Sequence, residues 1–168
     1  MSNRCIFSTS YYNYTTWLKI PYVCDEDALS SSSYCLFHDQ SYWKDNPDRI
    51  NERLTQKIEV GIPNNEVLLC VGYNLPSIKI TKMINKEVYF NFAKFYDQAY
   101  FKGTTFDLVS FEGARFEGSA VFQDVTFRKA DFKHAIFNEA NFQGTVFGKL
   151  AYFKGTTFDL VSFEGARF

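Results

Sequence analysis

The chain has 168 residues, enough for one domain with a small appendage, and its 18 basic and 19 acidic residues leave a formal net charge of −1. Such a balance removes any general electrostatic case for nucleic acid or an anionic membrane surface as the partner. The outstanding feature is aromatic: 19 Phe and 11 Tyr must be buried in an ordered way, or the protein would aggregate.

Residues 1–45 are rich in Tyr, Ser and Cys. They begin MSNRCIFSTSYYNYTTWLKIPYVC, with neither the apolar stretch nor the small-residue cleavage site of a secretory signal. Apolar runs such as Val67 to Val71 are far too short to cross a bilayer. The expected location is therefore cytoplasmic, where cysteines are reduced or metal-bound rather than paired in disulfides. Cys35 and His38 form Cys-x2-His, a spacing that lets both side chains reach one ion from a tight turn. With Cys5 and Cys24 they supply three thiolates and one imidazole, the donor set of a closed structural zinc site without an open position for catalysis. The intervals of eighteen, ten and two residues are not a standard finger spacing. Unligated buried thiols beside a surface His, or a disulfide, are the other fates open to these residues. A segment this poor in aliphatic side chains needs a staple.

Residues 46–62 predict an amphipathic capping helix. Asn46 is placed to cap it, Pro47 sits in its first turn, and Gly61 with Pro63 ends it. Ile50, Leu54 and Ile58 form one apolar stripe at i, i+4, i+8, suited to lie on a neighbouring flank or open end. Residues 63–87 have short strand-like apolar runs broken by Gly72 and Pro76, and predict an irregular first coil in which Cys70 is a small core residue.

From residue 88 a strict period takes over. Sixteen Phe, from Phe90 to Phe168, follow one another in twelve steps of five residues and three of six (95–101, 116–122, 147–153). Two residues before each stands Ala, Thr or Val, and the other positions are mostly polar. A step of five fits neither a helix at 3.6 nor a strand at 2. It fits a chain that turns a right angle every five residues and points one large and one small side chain inward per side. Four sides close a coil of about twenty residues, and coils stack edge to edge through backbone hydrogen bonds. Each six-residue step is expected to bulge outward without disturbing the ladder.

Motifs such as Ala130-Asp131-Phe132, Ala140-Asn141-Phe142 and Ala114-Arg115-Phe116 resemble the pentapeptide-repeat family, whose signature is a small residue, often Asp or Asn next, then a central Leu or Phe. The resemblance covers 88–168 and implies a mainly β fold, a right-handed quadrilateral β-helix of about four coils, carrying a small N-terminal segment of helix and loop. The run CDEDALSSSSYCLFHD, in turn, is similar to the short zinc knuckles found at domain ends.

For function the expectation is a non-catalytic scaffold or protein-interaction module with an unknown protein partner. His134 falls at an outward position with no nucleophile or acid paired to it by spacing, and no phosphate-cradling glycine loop exists. The glycines at 103, 113, 118, 144, 155 and 165 read as corner residues. The family resemblance implies one alternative, since some members imitate duplex DNA and bind type II topoisomerases. The nine basic and nine acidic residues over 88–168 do not make the acidic face this requires. A zinc-module nucleic-acid binder is a second alternative, opposed by Asp25, Glu26, Asp27 and Asp39 around the Cys/His cluster. Residues 99–116 and 151–168 are identical, eighteen residues at an offset of 52. The sequence stops at a central repeat residue, which leads us to expect end-to-end self-association through an uncapped C-terminal coil.

Overall fold

The computed structural model describes residues 3–61 and 67–168. Two antiparallel strands, β1 (Ser8–Asn13) and β2 (Leu18–Val23), come first, joined by the four-residue loop 14–17. The N-terminal region is thus not only helix and loop. Within this hairpin Asn13 is the organising residue: its Oδ1 accepts from the Thr15 and Thr16 amides and from the Thr16 hydroxyl. Helices α1 (Tyr42–Asp45) and α2 (Pro47–Gly61) follow. The stripe of Ile50, Leu54 and Ile58 is buried, as amphipathic spacing requires, and α2 packs against the first coil. Asn46 donates its amide back to the Tyr42 carbonyl, so it closes α1 and does not cap α2 with its side chain. Pro63 and the expected start of the first coil lie outside the described residues.

From Leu68 the chain winds into a β-solenoid of about five turns. One half of each coil contributes β3 (Leu68–Leu69), β6 (Ile84–Tyr89), β9 (Thr105–Ser110), β11 (Thr126–Asp131) and β13 (Val146–Tyr152), stacked in that order in one parallel sheet. The other half contributes β4 (Asn74–Leu75), β7 (Lys94–Phe95), β10 (Arg115–Val121), β12 (Ile136–Asn141) and β14 (Thr157–Ser162). Two short strands, β5 (Ile78–Lys79) and β8 (Ala99–Tyr100), extend that sheet beside β10.

The sixteen repeat Phe form four ladders in the lumen. Phe95, Phe116, Phe137 and Phe158 stack face to face at 4.3, 4.4 and 5.1 Å between centroids. Phe101, Phe122, Phe142 and Phe163 do so at 5.0, 4.8 and 4.9 Å. Phe90 heads the third ladder and Phe106 the fourth. Rings on adjacent sides meet edge to face, the other arrangement the aromatic quadrupole favours. The small residues fill the gaps between. Where one is Thr, its hydroxyl donates to a carbonyl of the preceding coil: Thr104 to Ile80 and Thr145 to Phe122, both at 2.7 Å.

The four corners are of two kinds. After every ladder residue headed by Phe90 or Phe101 comes a tight turn, closed by a bond such as Ala114 N–H to the Phe111 carbonyl, whose third residue has positive φ. Gly103, Gly113, Gly144, Gly155 and Gly165 occupy this place, but so do Phe92, Asp124 and His134 at φ 57–60°. The other two corners are extended bends within long strands.

Gly118 is not at a tight corner. It sits on the bulge formed by the extra residue of the 116–122 step, and Gly148 does the same in the 147–153 step. Both bulges keep the ladders in register, as expected of them. Neither glycine needs positive φ; each is needed for space. A Cβ on Gly148 would lie 2.8 Å from the Arg128 carbonyl oxygen and 2.9 Å from that of Phe127, backbone atoms held by the sheet. Gly148→Ala should therefore cost about 1–3 kcal/mol, read as a lower thermal midpoint with an unchanged far-UV spectrum.

The first coil keeps the geometry and changes the residues. Leu75 pairs with Phe95 and Ile78 with Ala99 in the next coil, while Cys70 precedes Phe90 in its ladder. Burial pushes the Cys70 thiol up to about 12, so it behaves as a small apolar residue.

The repeated segment shows the same residues covered and uncovered, in an inner coil under the hairpin and in the last coil. Leu108 is 4% exposed under the hairpin loop, and Leu160, its counterpart in the repeated segment, is 68% exposed. The N-terminal region is thus both an end cap and a cover running down one flank. Tyr11 packs on Tyr89 at 4.7 Å, and farther along Tyr14 stacks on Tyr152 at 6.2 Å.

Candidate metal centre

Three separate backbone segments deliver the four donors. Cys5 precedes β1 and is fixed by its amide to the Glu26 carbonyl; Cys24 follows β2 and is fixed by its amide to the Phe7 carbonyl. Cys35 and His38 share one tight turn, in which the His38 and Asp39 amides both donate to the Cys35 carbonyl. The turn is braced from outside by Asp39, whose Oδ1 accepts from Ser41 and Tyr42. Hydrogen bonds from Ser32 and Ser41 hold the Asp39 carboxyl down at about 2.

The donor atoms of Cys5, Cys24, Cys35 and His38 all lie within 4.8 Å of one another, and all four residues are buried. Cys24 Sγ stands 3.8 Å from Cys35 Sγ, and His38 Nδ1 stands 3.2 Å from Cys35 Sγ and 3.5 Å from Cys5 Sγ. A tetrahedral zinc with Zn–S bonds of about 2.3 Å sets its ligands roughly 3.5–3.8 Å apart, so the cluster has the right size. The cysteines are free thiols, without a disulfide, and the His is not at the surface.

Two features orient the imidazole. Its Nε2 lies 2.8 Å from the Val71 carbonyl, which assigns the proton to Nε2 and leaves the Nδ1 lone pair aimed at the sulfurs. Its ring is stacked on Phe7 at 3.8 Å and meets the edge of Tyr73 at 5.2 Å. Gly72 makes this possible: a Cβ there would come within 2.2 Å of Phe7 Cζ, and its φ is +70°. A hydrogen bond from Cys35, opposed by burial and helped by His38, lowers the Cys24 thiol, while the same bond and burial push Cys35 up.

The cluster is bonded directly to the solenoid. Besides the His38–Val71 contact, Phe37 stacks on Tyr73 at 4.0 Å, and the Asn74 amide donates to the Phe37 carbonyl at 2.7 Å, as the next coil would. Glu26 ties this region to α2 through Lys57 at 2.5 Å and Arg53 at 3.1 Å. The structure brings together all four residues that the sequence singled out, Cys5, Cys24, Cys35 and His38. Sequence spacing missed Phe7, Gly72 and the Val71 carbonyl, which are brought in only by the fold; the glycine between two apolar residues was the available signal.

Such an arrangement defines a β-solenoid whose first turn is closed by a Cys/His-centred cap. A model of pentapeptide repeats, nine copies long, matches residues 84–126, 111–157 and 132–168, and the chain belongs to that family. No curated protein and no solved structure matches it. The family match begins at residue 84, so the Cys/His cluster stands outside it. No helix among the described residues is long and apolar enough to cross a membrane.

Proposed function

We propose that this repeat protein is a non-catalytic interaction scaffold whose N-terminal cap is locked by one structural zinc ion on Cys5, Cys24, Cys35 and His38. The observation that carries the zinc reading is the buried three-sulfur, one-nitrogen donor set, drawn together to ligand distance with His38 oriented from behind by Val71. Four protein donors complete a tetrahedral shell, so the ion would supply cross-linking and no bound water for chemistry. Protein purified from zinc-replete medium should carry one zinc per chain by elemental analysis; a substoichiometric trace that dialysis removes would refute the site.

The scaffold reading is supported by the outer face, where charges of both signs are interleaved, as in the Arg128–Asp107 pair at 3.2 Å. Neither the DNA-mimic nor the nucleic-acid-binding reading gains an observation of this kind, since Glu26 beside the cluster is already matched by Lys57 and Arg53. End-to-end association with a second copy goes with the scaffold reading. Strand β14 has the sequence of β9, TFDLVS, and β9 pairs with a following strand in the stack. Its counterpart edge leaves Leu160, Val161 and Phe168 exposed. Light scattering should then show a mass that rises with concentration, and a constant monomer mass would sink the association.

A further inference from the structure

The loop of the hairpin and one flank of the solenoid together build a second site that none of the functional readings uses. Tyr12, Tyr14 and Trp17 stand edge to face, with centroids 5.1 to 6.4 Å apart. Tyr152, from the β13 end of the solenoid, faces Tyr14 at 6.2 Å and closes the box. Beneath them lies Asp131, whose residue surface is 2% exposed. Asp131 Oδ1 accepts the Lys133 amide, while its Oδ2 is buried without a hydrogen-bond donor and has only an ion pair, to Lys133 Nζ at 3.3 Å. The Tyr14 hydroxyl is likewise buried without a partner. Burial raises the Asp131 carboxyl, a sign that its charge is poorly solvated where it sits.

A cation already samples this box. Lys133 Nζ lies 5.5 Å from the Tyr12 centroid, 5.4 Å from Tyr14 and 5.5 Å from Tyr152. Among the described residues no cation stands over Trp17, although it is 57% exposed and held at φ 60° by the loop. For a bulky side chain that backbone angle is strained, and strain of this kind collects at binding sites. Beside Trp17 a cleft with about 20 Å³ of free space runs over Leu108 and Leu150 to Asp131, with Lys129 on its wall. The loop is rigid before any ligand arrives, through the Asn13 turn, the Tyr14 amide to the Tyr89 hydroxyl, and the Thr15–Glu87 bond.

We propose that the box of Tyr12, Tyr14, Trp17 and Tyr152, with Asp131 at its base, binds a small quaternary ammonium compound, with Lys133 as the resident cation that the ligand displaces. Aromatic faces around one carboxylate attract any cation, but the walls select the kind. A lysine ammonium is compact and strongly hydrated, whereas a methylated ammonium carries its charge on an apolar shell that suits the ring faces of Tyr12, Tyr14 and Tyr152. Lys133 sits on an outer corner and can return its ammonium to water, so the exchange trades a poorly fitted cation for a well-fitted one. The cleft itself holds about one water, so a headgroup must take the place that the Lys133 side chain leaves among Tyr12, Tyr14 and Tyr152.

The test uses the Trp43→Phe chain, in which Trp17 is the one remaining tryptophan. Tetramethylammonium chloride, titrated against sodium chloride at equal ionic strength, should change Trp17 fluorescence saturably with a midpoint of roughly 1–10 mM. Lys133→Ala should tighten binding about fivefold by removing the competitor, and Asp131→Asn, which keeps the turn bond, should weaken it about fivefold. The neutral isostere tert-butanol should give no saturable change over the same range. Absence of a saturable change in both the Trp43→Phe chain and its Lys133→Ala derivative would overturn the proposal. So would equal binding of tert-butanol, which would make the cleft merely apolar.

Discussion

Replacing Cys35 with Ser should remove the zinc and lower the unfolding midpoint by about 10 °C or more. Cys35 is the hub of the cluster, in contact with both Cys24 and His38, and its side chain is fully buried. A hydroxyl is a poor zinc ligand and, unligated, leaves two thiols and an imidazole buried without their centre. Structural zinc contributes about 10–16 kcal/mol in finger-sized peptides. Even a third of that, about 4 kcal/mol, would move the midpoint of a chain this size by roughly 8–16 °C. A chelator should bring the wild-type protein down to the variant's midpoint and leave the variant where it is. Hydrogen exchange should show faster exchange in β1, β2 and the Cys35–His38 turn while β9 to β12 remain protected. A wild-type midpoint that ignores the chelator would rule out zinc as the lock.

A comparable loss should follow from Phe122→Ala, for a different reason. Phe122 is fully buried between Phe101 and Phe142 and meets further rings edge to face, Phe116 on a neighbouring side and Phe132 across the lumen. Truncation removes the ring and opens a cavity that the stacked coils cannot close, because each coil's spacing is set by its backbone bonds. The cost should be about 3–5 kcal/mol, or roughly 6–20 °C in the midpoint. Phe168→Ala is the internal control: the same residue at the same repeat position, but 78% exposed, should change the midpoint by little. Equal losses at both sites would mean that lumen packing is not what holds the column.

The sequence made the ladders legible because one residue type recurs at one interval, and no other packing satisfies a step of five. It showed the first coil only as an irregular one, although Cys70, Leu75 and Ile80 keep the same step, because their chemistry changes from aromatic to aliphatic and the large residue moves to the partner position at Tyr73. The four members of the Cys/His cluster were readable from residue type and spacing. The hairpin was not: Tyr11 and Asn13 point inward with the alternation of a strand, but the composition of residues 1–45 suggested loop, and what makes the hairpin stable is the flank it covers. Gly118 was assigned to a corner for want of knowing which corners are tight. The aromatic box was out of reach, since it joins residue 17 to residue 152 and no local pattern links them.

The two kinds of corner have a consequence for how such a chain can grow. Tight turns follow only alternate sides, so the column maps onto itself by a half rotation combined with a half-coil advance, and not by a quarter. Inserting a single five-residue unit would put a glycine hinge where an extended bend belongs, and would misalign every corner beyond it. Lengthening should therefore proceed in quanta of two sides. The internal copy obeys this rule: displaced by 52 residues, it carries Phe101 onto the site of Phe153 in the opposite ladder, with Gly103 and Gly155 both at φ +71°.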